Sequence, residues 1–237
     1  MRFLILSDIH ANWDALDAVL NHADGTYDLV LNCGDLVGYG PEPNRVVDWC
    51  RSTNAAVVRG NHDKAAVGLT DLEWFNPVAK EAALWTAGML TDENRSYLAT
   101  LPMGPKLVQD FEILHGSPED EDEYLVDASD VEGIVPERAL SFFGHTHLQG
   151  GFLMHRQGIR PITTPTMFVD ETAAYLVNPG SVGQPRDGDP RAGYALYNSS
   201  TRIVEYHRID YDIQQTARKI FQAGLPELLG MRLFRGA

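Results

Sequence analysis

The chain has 237 residues, 44% of them hydrophobic and 22% charged, which is the make-up of a globular protein long enough to bury a full core. Nineteen basic against 33 acidic side chains leave a formal charge of −14, which repels nucleic-acid polymers and anionic membranes unless cations reverse the field locally. With only Cys33 and Cys50 there is no disulfide framework, and no window reaches the ~18 apolar residues of a membrane span.

The opening "MRFLILSDIH" is too short and too polar for a signal peptide, so a cytoplasmic protein with no membrane attachment is expected; a homo-oligomer is compatible with this. Phe3 to Leu6 reads as a short apolar strand. "ANWDALDAVLNHA" follows with Trp13, Leu16, Val19 and Leu20 at helical spacing and Asn12 as its cap. Tyr27 to Leu31 is the next strand, ending in the Gly/Pro-rich loop "NCGDLVGYGPEPN". A helix from about Arg45 to Arg51 and a strand in "NAAVVRG" come next. Asn76-Pro77 is a cap and first-turn proline for a helix to about Gly88, and "TDEN" at Thr91 starts another.

After Pro105 the chain becomes β-rich. "KLVQD", "FEILHG", "SFFGHTH", "GGFLMHRQG", "AAYLVNPGS", "RAGYALYNS" and "TRIVEYHRI" all read as strands. The acidic stretch from Ser117 to Asp130 reads as a solvated loop with a brief helix, and the C-terminus as two helices broken at Gly-Leu-Pro. Alternating short apolar runs and helices predict an α/β protein. With no linker and no repeat, residues 1–237 read as a single domain whose two halves are two layers of one core.

Five strand ends carry ligand-type residues: Asp8 and His10, Asp35, Asn61, His115, and His145 with His147. Taken singly, Asp8 reads as a cap, Asp35 as an Asx turn, Asn61 as a turn residue and the histidines as half-buried, hydrogen-bonded rings. Taken together they are hard to explain without a common purpose. In extended chain, residues i and i+2 point the same way, so Asp8/His10 and His145/His147 each read as a half-site. Oxygen and imidazole donors suit first-row divalent ions, and seven are too many for one zinc but right for two cations sharing a carboxylate.

In their order along the chain, "SDIH", "GDLVGYG", "GNHD", "HG", "GHTH" and, further on, "NPGSVGQPR" resemble the calcineurin-like metallophosphoesterases, in particular their small prokaryotic phosphodiesterase branch. The resemblance implies a four-layer α/β/β/α sandwich of two mixed β-sheets flanked by helices. It further implies that Asp8, His10 and His147 hold one divalent ion, that Asn61, His115 and His145 hold a second, and that Asp35 bridges them. Manganese, iron, nickel and zinc all fit these ligands. The expected reaction is hydrolysis of a small phosphate ester, preferably a diester, by a hydroxide bridging the metals.

His62, beside Asn61, is expected at the pocket rim as a cationic residue or leaving-group acid, oriented by Asp63. Ser181 and Arg186 are candidates to meet a substrate phosphate, with Asn12, Tyr39 and Asn44 as further substrate contacts. Phosphomonoesters, phosphoproteins and dinucleoside polyphosphates are the alternative substrates. A non-catalytic, metal-binding interaction scaffold is the alternative of a different class.

Overall fold

The computed structural model describes residues 1–237. The chain runs β1 (Arg2–Leu6), α1 (Trp13–Ala23), β2 (Leu29–Asn32), α2 (Pro43–Ser52), β3 (Ala56–Val57), α3 (Asn61–Ala66), α4 (Pro77–Met89) and α5 (Asp92–Ala99). The β-rich part follows as β4 (Lys106–Val108), β5 (Phe111–Ile113), β6 (Leu140–Phe142), β7 (Gly150–His155), β8 (Gly158–Pro161), β9 (Thr166–Phe168), β10 (Ala174–Asn178), β11 (Ala192–Asn198) and β12 (Ile203–Ile209). Helices α6 (Ile213–Gln222) and α7 (Glu227–Leu233) close the chain.

Two mixed six-stranded sheets result, ordered β3-β2-β1-β11-β12-β9 and β4-β5-β6-β10-β7-β8. The alternation of side chains along each strand sorts the core. Phe3, Ile5 and Leu31 of the first sheet meet Phe111, Phe142 and Val177 of the second between the sheets. Leu4, Leu6 and Val30 face the other way, onto Leu16 and Val19 of α1 and Val46 and Val47 of α2. On the far face of the second sheet, Phe143, Phe152 and Leu176 are covered by Leu125, Val131 and Ile134.

The sandwich matches the fold the motifs imply, with three local differences. The halves of the chain are not the two layers, because β9, β11 and β12 return to the first sheet, where β11 pairs antiparallel with β1. Ser117 to Asp130 contains no helix; its apolar residues Leu125 and Tyr124 hold it down in an irregular path. "GNHD" is the first turn of α3 rather than a free turn, because Asp63 accepts from Gly60 N at 3.0 Å and caps the helix start. Strands β8 and β9 lie at sheet edges and are largely exposed, so they lack the apolar runs that marked the others.

Candidate active site

The site forms where β1, β2, β5 and β6 end and where α3 begins. Asp8, His10, Asp35, His145 and His147 all have left-handed backbone, with φ between 50° and 67°. For non-glycine residues that conformation is strained and persists only where surrounding structure enforces it. The turns therefore aim the side chains, and the extended i, i+2 geometry expected from sequence does not hold. Asp8 and His10 still converge, but His145 and His147 part to different neighbours.

Asp8, His10 and His147 form one group of donors, and Asp35, His115 and His145 a second, with the donor atoms of each group within 4.8 Å of one another. All six residues are buried. Asp35 stands between the groups, its Oδ2 lying 3.7 Å from His10 Nε2 and 3.5 Å from His115 Nε2. Its Oδ1 is anchored by the His62 backbone N–H at 2.8 Å. Asn61, at the start of α3, brings its Oδ1 to 3.2 Å from His115 Nε2.

Each imidazole spends one nitrogen on a backbone carbonyl. His10 Nδ1 meets Val37 O at 3.0 Å, His115 Nδ1 meets Cys33 O at 2.7 Å, His147 Nδ1 meets Gln184 O at 2.6 Å and His145 Nε2 meets Asp122 O at 3.1 Å. A carbonyl only accepts, so these contacts place a ring proton on the outward nitrogen; His10, His145 and His147 are left with a lone pair on the inward nitrogen, and His115, which Asp35 keeps protonated when no metal is bound, gains one on giving up its inward proton. The inward atoms then crowd: His10 Nε2 lies 3.0 Å from His147 Nε2, and His145 Nδ1 3.1 Å from His115 Nε2. Lone pairs at that separation repel unless a cation or a proton lies between them. The residues present therefore fit divalent metal ions, by the chemistry of the donor set itself.

The ionisation of the metal-free cluster follows the same logic. Burial acts on His115 against protonation, but the Asp35 carboxylate prevails and raises it to about 9. Burial holds His62 down to about 4 and His145 to about 3. For Asp8, burial works upward but the neighbouring His147 outweighs it, so the carboxyl lies below its ordinary range. Asp35 lies well below, burial again being outweighed by the imidazoles around it.

Asp63 does not orient His62. Its Oδ2 and Oδ1 accept from the backbone of Gly60 and Val37, and burial with the nearby Asp35 pushes its carboxyl up to about 7. His62 is accordingly neutral rather than cationic. Its Nδ1 is buried without a partner near Gly38, and its ring packs 4.2 Å from Tyr39 and 5.2 Å from Phe75 while lining a cavity.

The other expected contacts divide. Tyr39 borders the cavity, and Arg186 lies close by with Nη2 3.4 Å from the Tyr39 hydroxyl and 3.3 Å from Gln184 Oε1. Ser181 is committed elsewhere: its hydroxyl donates to Asp8 O at 2.8 Å and accepts from Gln184 N at 2.8 Å, so it braces two ligand-bearing turns. Asn12 is buried as the cap of α1, accepting from Ala15 N and donating to Gly183 O. Asn44 bonds Met89 O and Thr91 N at the α4–α5 junction and does not border the cavity.

Two supports escaped the sequence. Asp122 and Tyr124 belong to the acidic stretch, yet Asp122 O fixes His145 and the Tyr124 ring lies 3.9 Å from the His145 ring. The stretch is held in place by the buried Lys64, whose Nζ reaches Glu121 at 2.8 Å and Asp122 at 2.7 Å, and by Arg59 on Glu121 at 2.9 Å. Gly60 is the second: a Cβ there would sit 2.1 Å from Asp35 Oδ1. Runs of like charge usually mean solvated surface, which is why the acidic stretch gave no signal.

Residues 1–202 match the calcineurin-like phosphoesterase superfamily domain. An uncharacterized protein of Methanocaldococcus jannaschii is 37% identical over 98% of this chain and 97% of its own length. The crystal structure of a metallophosphoesterase from Sphaerobacter thermophilus superposes with a TM-score of 0.88 at 39% identity, covering 100% of this chain and 99% of that one. A hypothetical protein from Pyrococcus horikoshii OT3 shares the fold, with a TM-score of 0.80 at 22% identity over 100% and 98% of the two chains. No helix is long and apolar enough to cross a membrane. A two-sheet sandwich whose strand ends aim carboxylates and imidazole lone pairs into one buried volume, together with these matches, places the chain in the calcineurin-like phosphoesterase superfamily, as a metal-binding hydrolase of phosphate esters.

Proposed function

We propose that the protein hydrolyses phosphodiesters at a dinuclear centre held by Asp8, His10 and His147 on one side and Asn61, His115 and His145 on the other, with Asp35 shared. The observation that carries this reading is the facing of imidazole nitrogens at 3.0 and 3.1 Å, each ring's other nitrogen being tied to a carbonyl. When bound, two divalent cations neutralise the phosphoryl oxygens and make water nucleophilic near neutral pH.

The chain's own residues do the rest. The carbonyls of Val37, Cys33, Asp122 and Gln184 hold the ring orientations, so little rearrangement is needed when the ester arrives. Asp35 keeps one oxygen on the His62 N–H and turns the other to both groups, offsetting the repulsion of neighbouring positive charges. His62, neutral with Nδ1 buried against Gly38, offers Nε2–H to the departing oxygen as a hydrogen-bond donor. Arg186, half-buried beside Tyr39, supports an anionic substrate at the edge of the cavity.

The test is turnover of bis(4-nitrophenyl) phosphate and 4-nitrophenyl phosphate by protein stripped of metal and then reloaded with manganese, iron, nickel or zinc. Metal-dependent hydrolysis with the higher kcat/KM on the diester is expected. A higher kcat/KM on the monoester removes the diester preference, and no turnover with any metal removes the enzymatic reading in favour of a metal-binding scaffold.

A further inference from the structure

A cavity of about 330 Å³ opens against Asn61, His62 and His145, on the side of the second donor group. Five of its lining side chains are rings, Tyr39, His62, Trp74, Phe75 and Tyr124, besides His145 itself. Tyr39, His62 and Phe75 form one packed cluster, while Tyr124 lies flat enough on His145 for a 39° interplanar angle at 3.9 Å. Trp74 is different. It sits on a single turn of 3₁₀ helix, Leu72–Trp74, and 89% of its surface is exposed although it borders the cavity. A large ring left in water at the edge of a pocket of rings is available to stack on a ligand.

The charge of the cavity limits what that ligand is. No lysine or arginine lines it, and its one carboxylate residue, Asp122, is already paired with Lys64. Arg186, bonded to the hydroxyl of the lining Tyr39, supplies counter-charge at that edge alone; around Trp74, Phe75 and Asn76 a second phosphate of a polyphosphate chain would find none. Two polar groups are free to read a ring edge. Asn76 commits Oδ1 to Ala79 N as the cap of α4, which leaves its amide N–H₂ without a protein partner, and the Thr70 hydroxyl makes no hydrogen bond within the protein.

From the ring-lined, uncharged cavity beside His62 and His145 we infer that one ester substituent of the substrate is an uncharged planar aromatic group, received by Trp74, Phe75 and Tyr124. The inference rests on the phosphoesterase reading above and gives that site its substrate class. Both a nucleobase and a simple aryl alcohol present this chemistry.

The experiment compares three diesters with similar alkoxide leaving groups: adenosine 5′-methyl phosphate, benzyl methyl phosphate and glyceryl methyl phosphate, on the metal-loaded enzyme. Either aromatic ester is expected to exceed the glyceryl ester in kcat/KM by about tenfold, the scale of one good stacking contact. Trp74→Ala is expected to collapse that ratio. A preference for adenosine over benzyl assigns the pocket to a nucleoside, and equality assigns it to plain aromatic alcohols. Glyceryl ester turned over as well as both aromatic esters overturns the inference while leaving the hydrolase reading intact.

A second readout does not need catalysis. In metal-free protein, adenosine or benzyl alcohol is expected to quench tryptophan fluorescence, and the quench is expected to vanish in Trp74→Phe; glycerol is expected to do nothing. Quenching without hydrolysis of any ester means the hydrolase reading fails and the ring-binding pocket stands. An unquenched Trp74 at millimolar adenosine and benzyl alcohol overturns the pocket.

Discussion

In the Asp8–His10–His147 group the supports are main chain and two hydroxyls: Val37 O and Gln184 O fix the two rings, the Ser7 hydroxyl donates to Asp8 Oδ2 at 2.6 Å, and the Ser181 hydroxyl pins Asp8 O. In the Asp35–His115–His145 group, His115 is fixed in the same manner by Cys33 O, but His145 depends on Asp122 O. Asp122 in turn is held by ionic contacts of Lys64, a residue of the helix that also begins with Asn61. One group is thus set by turns between strands, and the other partly by a half-buried ion network that joins α3 to an irregular segment. Only the second group borders the ring-lined cavity.

Substitutions that strike one group or both test this contrast. Asp35→Asn acts on both groups and is expected to be the most severe, lowering kcat/KM on bis(4-nitrophenyl) phosphate by about 10³-fold with reduced metal content. Unchanged metal stoichiometry and activity in that variant would remove the shared carboxylate from the account. His62→Asn is expected to lower kcat by about 10²-fold on an alkoxide leaving group and much less on nitrophenolate, with metal content unchanged. Equal losses on both leaving groups would show that His62 does not assist departure.

Lys64→Met separates the groups. It leaves the first untouched and frees the segment that carries Asp122 O, so affinity for one of two ions should fall about tenfold while the other is retained, with activity recovered at high metal. Loss of both ions in parallel would mean that the two groups are not built independently. Circular dichroism melts would show whether the variant folds.

The smallest effect concerns acidity. In the metal-free protein His62 and His145 lie below their ordinary value of 6.5, at about 4 and about 3, because burial opposes their charge. The unfolded chain takes up these protons first, so their contribution to stability is complete above about pH 6.5 and is lost as pH falls towards 4 and 3. Asp8 and Asp35, lowered in the fold, act in the same direction at still lower pH. His115 has the opposite sign: raised to about 9, it favours the fold below pH 6.5 and loses that contribution as pH rises through 9. Urea titrations of metal-free protein should therefore show stability falling on both sides of neutrality, and added metal should flatten the alkaline limb.

Much of this was readable beforehand, for identifiable reasons. The long amphipathic α1, the Asn76-Pro77 start of α4 and the Thr91 cap of α5 carry local signals that tertiary contacts did not override. The convergence of Asp8, His10, Asp35, His115, His145 and His147 was legible because these residues cluster where apolar runs end. What failed was anything decided by a distant partner. Asp63 was read as the support of its neighbour His62, but its carboxylate is taken by two backbone N–H groups, one of them at Val37. Sequence position suggests Ser181 and Asn44 as substrate contacts, but each is consumed by bonds to residues far along the chain. The acidic stretch looked like solvated surface because its cations, Arg59 and Lys64, come from another segment.

If the two donor groups hold a pair of cations with Asp35 between them, the ions themselves should be visible. Anomalous scattering from a crystal of the protein loaded with manganese tests it most directly. Two peaks are expected at roughly 3.5–4 Å separation, one contacting Asp8, His10 and His147 and the other Asn61, His115 and His145, both within bonding distance of Asp35. A single peak, or two that do not share Asp35, would contradict it.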